Sequence, residues 1–333
     1  MKKQFISSIN TGDLVDDIFM LSEKHLFQKK DGNNFLNVAL TDKTGSIKGV
    51  VWDNVDQIIA GVTSGDFVHV KGNVSEYRGV AQLVVKHMVK CPDDSPDNLP
   101  GNSPGNSIEP SDFIPTTTRN IDKMFERLLQ MTESVETGYL KALLNAFWND
   151  EEFVGKYKTA PAAKKMHHAY LGGLLEHSLS MALLADGIAS HYSGVDRDLL
   201  VVSSILHDIG KVREFEYKSR IDYSDEGRLL NHIVIGVEMI DEKIKTINAF
   251  PYEQALLIKH MIVSHHGVRE FGSPEPPKTI EAVLLNYIDE IDAKVSGIRD
   301  FMASEDPGEA WTSYHRLLGR FFYRGNRKKD LSD

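Results

Sequence analysis

The stretch SSILHDIGKV, residues 203–212, decides the reading of most of this 333-residue chain. A run of small and apolar residues ends in an adjacent imidazole and carboxylate, His207 and Asp208, followed by Ile209, Gly210 and Lys211. One reading is a helix end with a polar cap and a glycine stop. The other is a metal site, in which His207 faces one ion and the Asp208 carboxylate lies between two. The segments to either side choose between them.

Outward from this stretch the apolar residues recur with a helical period of 3.6. IDKMFERLLQM, GYLKALLNAFW, LLEHSLSMALLADGIASHY, RDLLVVSSILHD, LLNHIVIGVEMIDEKIKTI, YEQALLIKHMIVSH and IEAVLLNYIDEIDAKVSGI all predict helices. Thr118 or Asn120 suits the cap of the first, and Pro251 the start of the sixth. No strand candidate intervenes, so residues 119–333 read as an all-α bundle. Metal-capable groups interrupt its apolar segments: His177 in GGLLEHSLSM, His232 in LLNHIVIG, His265-His266 at a helix end, and Asp289 in LLNYIDEIDAKV. A single histidine on an apolar face is more often a satisfied core residue than a ligand. Five such positions, in the order H…HD…H…HH…D, point instead to ligands gathered from several helices. A buried carboxylate also needs a partner or a metal.

Toward the N-terminus the pattern changes. Residues 91–118 hold six of the twelve prolines and show no apolar periodicity, and so predict a linker. Before it, NNFLNVALTD, SIKGVVWD, DFVHVKGNVSEY and GVAQLVVKHMV read as strands with Gly, Asp and Asn turns between them. A short helix is expected at 54–60. Some 90 residues with about five strands match an OB-fold. The expected organisation is therefore multidomain, β plus all-α: an OB-like barrel at 1–90, a linker at 91–118 and a helical domain at 119–333.

Composition sets outer limits. Apolar residues make up 41% and charged residues 26%, as in an ordinary globular protein. Cys91 is the single cysteine, so no internal disulfide forms, which fits a reducing compartment. The opening MKKQFISSINTGD lacks an apolar core behind its lysines, and no apolar run reaches 18 residues. A cytoplasmic protein without a membrane anchor is expected. The net charge of −10 argues at first against nucleic acid, but it is uneven. Residues 1–92 carry 11 Lys and Arg against 10 Asp and Glu, so the acidity lies in the helical part. Arg316, Arg320, Arg324, Arg327, Lys328 and Lys329 near the C-terminus form either a basic patch or a solvated helix face and tail.

The ordered H…HD…D set resembles the HD-domain metal-dependent phosphohydrolases. The resemblance implies that His177, His207, Asp208 and Asp289 hold a first ion, and that Asp208, His232 and His265 hold a second. His266 joins the second set in some families of this type. Lys211 matches a lysine placed near the substrate phosphate; by itself it also fits a helix-end lysine facing the dipole. With Asp208 it is the candidate catalytic pair. A barrel followed by this domain narrows the likeness. HHAYLGGLLEHSLSM, LHDIGKVREFEY, DEGRLLNHIVIGVEMI, SHHGVREFGSPEPPKTIEA and IDEIDAKV are similar to the YhaM-type 3′→5′ exoribonucleases over nearly the whole chain. Asn286 departs from that pattern, where a histidine is expected.

That resemblance implies hydrolysis of single-stranded RNA from its 3′ end by two ions, releasing nucleoside 5′-monophosphates. It implies Mn²⁺; mixed His and Asp donors also suit Co²⁺, Fe²⁺ or Zn²⁺. RNA against single-stranded DNA stays open, because a 2′-OH reader is not legible in one chain. The oligomeric state stays open too, a homo-oligomer included. On the barrel, Phe35 alternates out of phase with Leu36, Val38 and Leu40, and so faces outward. Phe35, Lys48, Trp52, Lys71, Tyr77 and Arg78 are candidates to hold a strand by stacking and charge, although Trp52 and Tyr77 also suit packing. His168, with His167, Lys164 and Lys165, and Arg213, with the loop 269–277, are candidates for the mouth of the site. Two other functions compete. One is a phosphohydrolase of small or cyclic nucleotides, although the Gly-Tyr-Pro signature of cyclic-di-GMP enzymes is missing after His265-His266. The other is a non-catalytic RNA-binding protein.

Overall fold

The structure, a computed structural model, describes residues 2–91, 108–164, 167–306 and 308–325. The chain divides into two compact units, residues 1–116 with 216–222 and residues 117–215 with 223–333.

The first unit is a closed five-stranded barrel. Its strands are β1 (Leu14–Gln28), β2 (Asn34–Asp42), β3 (Gly45–Val51), β4 (Phe67–Tyr77) and β5 (Val80–Lys90), in the order β1-β2-β3-β5-β4. β1 pairs antiparallel with both β2 and β4, and β3 runs parallel to β5, so the sheet has no free edge. Alternate side chains fill the interior, among them Phe19, Leu21, Leu36, Leu40, Val68 and Leu83, all at 1% exposure or less. Helix α1 (Val55–Gly61) adds Val55 and Ile58 to that core, within a residue of the expected bounds. This is the OB-fold read from the sequence.

Three features of this unit differ from expectation. β1 is the longest strand, and the sequence pattern does not announce it. Its segment LVDDIFMLSEKHLFQ does not alternate cleanly, because the register shifts between Leu21 and Glu23. It also buries a carboxylate, Asp17, whose Oδ2 accepts the Lys3 and Gln4 N–H groups. Finally, the expected linker does not extend through residues 108–116. Phe113 and Ile114 are buried, and Phe113 clusters with Ile18, Met20 and Cys91. Apolar residues spaced too widely to show a period still fill one pocket. Residues 92–107 lie outside the described residues.

The second unit is helical: α2 (Ile121–Glu133), α3 (Gly138–Trp148), α4 (Glu151–Thr159), α5 (Gly173–His191), α6 (Arg197–Leu206), α7 (Lys211–Glu214), α8 (Asp225–Ile244), α9 (Tyr252–Ser264) and α10 (Ile280–Ser304). Asn120 caps α2 through the Lys123 N–H, and Asp150 caps the unforeseen α4 through the Phe153 N–H. α6 lies at the centre: every residue from Asp198 to Leu206 is buried. Along the chain a short β-pair, β6 (Phe215–Glu216) with β7 (Asp222–Tyr223), separates α7 from α8 where residues 216–222 join the first unit, too short for any periodicity to reveal. Among the described residues no helix is long and apolar enough to cross a membrane.

Candidate metal centre

The turn after α6 puts His207 and Asp208 at the middle of the helical unit, at 0% and 2% exposure. Gly210 is not the left-handed stop expected of it; its φ is −63°. It is needed for a close approach, since a Cβ there would overlap the His232 carbonyl of α8. α8 itself breaks its helical geometry at Asn231, with φ 65° and ψ 154°, one residue before His232. His265 follows directly on the end of α9 at Ser264, and Asp289 comes from α10.

These elements place two sets of ligand atoms around one carboxylate. Asp208 Oδ2 lies 3.3 Å from His207 Nε2 and 3.6 Å from His177 Nε2. Asp289 Oδ1 lies on the same side, 3.3 Å from His177 Nε2 and 3.9 Å from His207 Nε2. Asp208 Oδ1 faces the other way, 3.6 Å from His232 Nε2 and 3.7 Å from His265 Nε2. His177, His207 and Asp289 form one group whose donor atoms all lie within 4.8 Å of one another, and His232, His265 and His266 form another.

The far nitrogen of each of four imidazoles is already committed. His207 Nδ1 pairs with the Ser204 carbonyl at 2.9 Å and His265 Nδ1 with the Ile262 carbonyl at 2.6 Å. His177 Nδ1 pairs with Asp292 Oδ2 at 2.8 Å, and His232 Nδ1 with Glu214 Oε1 at 3.0 Å. A carbonyl or carboxylate only accepts, so each Nδ1 carries a proton, and the Nε2 of each neutral ring keeps a lone pair facing the centre. Asp208 Oδ1, His232 Nε2, His265 Nε2 and His266 Nδ1 are buried without a hydrogen-bond partner. Buried acceptors that nothing donates to are costly unless a cation meets them. The donor set therefore fits divalent metal.

The electrostatics agree. Burial would raise the Asp208 pKa, but Lys211 and then His207 hold it well below the usual carboxylate range. Burial likewise opposes ionisation of Asp289, which its bond to His177 keeps low. Burial, with His266 and His207 beside it, holds His265 neutral. His177 goes the other way: burial disfavours its charge, yet bonds to Asp289 and Asp292 raise its pKa to about 9.

A cavity of about 1040 Å³ opens onto this centre, lined among others by His167, Lys211, His232, His266, Tyr287 and Asp289. The sequence between 174 and 294 matches the HD domain, and residues 21–90 match an OB-fold nucleic acid binding domain. Over 313 residues the chain is 31% identical to the 3′-5′ exoribonuclease YhaM of Bacillus velezensis, covering 94% of this chain and 95% of that protein. The chain belongs to the YhaM family of 3′-5′ exoribonucleases. The same-named protein of a Geobacillus species is also 31% identical, over 94% of this chain and 92% of its own length. Among solved structures, the second OB-fold domain of replication protein A from Methanococcus maripaludis is similar over 28% of this chain and 96% of that one, at 24% identity and a TM-score of 0.22.

Within this YhaM-family chain, the other expected site residues are scattered. Lys211 lines the cavity, but its ammonium is bonded to Asp208 Oδ2 at 2.6 Å rather than free. His168 is not at the mouth. It is 4% exposed and lies behind His177, with Nε2 3.1 Å from Asp292 Oδ2, while its neighbour His167 reaches the cavity. Arg213 is tied to the Glu226 carboxylate of α8 and does not line the cavity. From the loop 269–277, Phe271 joins the lining. Lys164 also lines the cavity; Lys165 and 327–329 lie outside the described residues. Arg324 is engaged with the Met302 and Glu305 carbonyls. Asn286 donates to the His265 carbonyl at 2.7 Å and so steadies the ligand turn from outside it.

On the barrel, Phe35 stacks between Phe27 and Trp52, with centroids 5.5 and 5.1 Å away, and Lys29 Nζ lies 4.6 Å over the Trp52 ring. Lys48 is exposed on the same outer face, opposite Ala39. Lys71 instead pairs with Asp16 at 3.0 Å, and Tyr77 with Arg78 sits at the β4–β5 turn, away from this row. The β1 bulge hides from the sequence pattern which side Phe27 and Lys29 face. Asp292 and Glu214 are not marked as site residues by periodicity either. Asp292 lies three residues after Asp289, one helical turn on, and that spacing was the available signal.

Proposed function

We propose that this chain is a cytoplasmic 3′→5′ exoribonuclease that hydrolyses single-stranded RNA, releasing nucleoside 5′-monophosphates with two divalent ions, Mn²⁺ first among them. The observation that carries the reading is Asp208, a buried carboxylate with each oxygen turned to a different pair of imidazole Nε2 atoms. His177, His207, Asp208 and Asp289 would hold one ion; Asp208, His232 and His265, with His266 beside them, the second. Bound there, such ions supply Lewis acidity and activate water for an in-line displacement at phosphorus. Lys211 supplies a cationic donor on the cavity wall. His167, whose pKa burial pushes down to about 4, offers a neutral imidazole there. Phe271 and Leu317 on the cavity lining offer the terminal nucleotide apolar contact. The row Phe27, Phe35 and Trp52 gives successive bases a stacking surface that does not depend on sequence.

The test is a 5′-labelled single-stranded RNA incubated with chelated protein, with and without Mn²⁺. Progressive 3′ shortening that requires the metal is expected, and Asp208→Ala is expected to reduce it to background while strand binding persists. Hydrolysis of mononucleotides or cyclic nucleotides alone would favour a small-nucleotide phosphohydrolase. Binding with no cleavage would leave only an RNA-binding protein. A single-stranded DNA of the same sequence, run in parallel, decides the sugar preference.

A further inference from the structure

We infer that Asp292 and His168 form a positioning unit that fixes His177 for metal binding, anchored through Tyr170 and Glu176 to the start of the helical unit. The inference rests on the metal reading above.

Asp292 does not face the cavity; it is 6% exposed and packed behind His177. Its carboxylate accepts three donors. His177 Nδ1–H donates to Oδ2 at 2.8 Å, His168 Nε2–H donates to the same oxygen at 3.1 Å, and the Ser180 hydroxyl donates to Oδ1. Burial opposes its charge, and the bonds from His168 and His177 overcome that and keep it ionised. Such a carboxylate can turn His177 in only one direction, with Nε2 toward Asp208 and Asp289.

His168 is itself held in place. Its backbone is left-handed, with φ 57°, an unusual conformation for a residue with a side chain. Its carbonyl takes the Ala162 N–H at 3.1 Å and crowds Gly173, where a Cβ would overlap it. Its Nδ1 meets the Tyr170 hydroxyl at 2.7 Å. Tyr170 also lies 3.1 Å from Glu176 Oε2, which accepts the Thr117 hydroxyl at 2.6 Å, and Arg119 Nε lies 3.0 Å from Glu176 Oε1. A continuous polar path thus runs from Thr117 and Arg119 to the His177 ring. The triad His168, His177 and Asp292 could by itself be taken for a third ion site. The hydrogen bonds argue otherwise, because the nitrogens facing Asp292 carry protons.

The test uses the full chain stripped of metal and titrated calorimetrically with Mn²⁺ alone. Asp292→Asn and His168→Ala are expected to weaken binding at the His177 side by about 10- to 100-fold, the usual effect of losing an outer partner of a metal-ligating histidine. His168→Gln, which keeps a donor amide, is expected to recover part of that loss. In parallel, the Mn²⁺ concentration for half-maximal RNA cleavage should rise while kcat at saturating metal changes far less. Thermal melts identify a variant that fails to fold; Ser180→Ala, which removes one of the three donors, then takes its place with a smaller shift in the same direction. Wild-type Mn²⁺ isotherms in the folded variants would overturn the positioning role and leave the functional reading intact. A wild-type chain that binds no Mn²⁺ would overturn both. Tight binding without RNA cleavage would overturn the exoribonuclease reading alone.

Discussion

Asp208 gathers more of the site than any other side chain. Its neighbours on one side are His177 and His207, and on the other His232 and His265. Each of those rings is locked through Nδ1, so the tautomer a ligand needs is set before an ion arrives. His177 adds a pH dependence. Its pKa of about 9 lies above the ordinary histidine value of 6.5, so the metal-free site holds a proton there at neutral pH. Metal binding must release that proton. Mn²⁺ affinity should therefore rise from pH 6.5 toward 9, by up to about tenfold per unit, and level off above. Titrations in two buffers of different ionisation enthalpy would count the proton. A flat profile across this range would show that His177 is neutral already. Cys91 stands apart from this chemistry: burial pushes its thiol up to about 11, so it stays an unreactive core residue at neutral pH.

At the scale of elements, the site depends on how α6 and α8 meet. Gly210 lets the turn after α6 lie against the His232 carbonyl. The α8 kink at Asn231 aims the His232 N–H and Nδ1 together at Glu214 Oε1, each at 3.0 Å. Gly210→Ala forces the two backbones apart. It should cost about 1–3 kcal/mol of stability, the usual range for overpacking, and weaken Mn²⁺ binding in the same variant. Chemical denaturation and calorimetry check the two effects separately. In the barrel, the stacked row depends on β1 carrying Phe27 beside Phe35. Phe35→Ala in an Asp208→Ala background should weaken single-stranded RNA binding by about 1–3 kcal/mol. Lys71→Ala, already paired with Asp16, should change it less. Fluorescence anisotropy at two salt concentrations distinguishes stacking from charge, since only the charged contact is salt-sensitive.

For the whole molecule, the candidate metal centre spans much of the helical unit. Its candidate ligands come from α5, the turn after α6, α8, the end of α9 and α10, so metal bound at both ligand sets would tie five segments of the helical unit together. Mn²⁺ at about 100 times its Kd should stabilise the folded state by roughly 2.7 kcal/mol, as for any ligand of the native state alone. The melting temperature of the helical unit should rise accordingly, and Asp208→Ala should abolish that rise. A melt insensitive to Mn²⁺ would mean the site does not bind it. The barrel lacks this ligand set, so its own transition should stay where it is.

The sequence alone determined the two domain classes and the order of the metal-capable residues. Alternation in β2 to β5 and the 3.6 period of the helices are local signals, and histidines on apolar faces stand out against their neighbours. The structure brings all seven candidate ligands around one centre. The tertiary structure decided what depends on long-range approach. It showed that residues 108–114 are packed rather than free, that β1 exists despite its bulge, and that Gly210 serves a backbone contact and not a helix stop. It also put His168 behind the centre and turned Arg213 to Glu226, where the sequence suggested two contacts at the mouth. Asp292 and Glu214 acquire their roles only through partners 115 and 18 residues away. Periodicity reports which face of an element is buried. It does not report which donor on another element a buried carboxylate will meet.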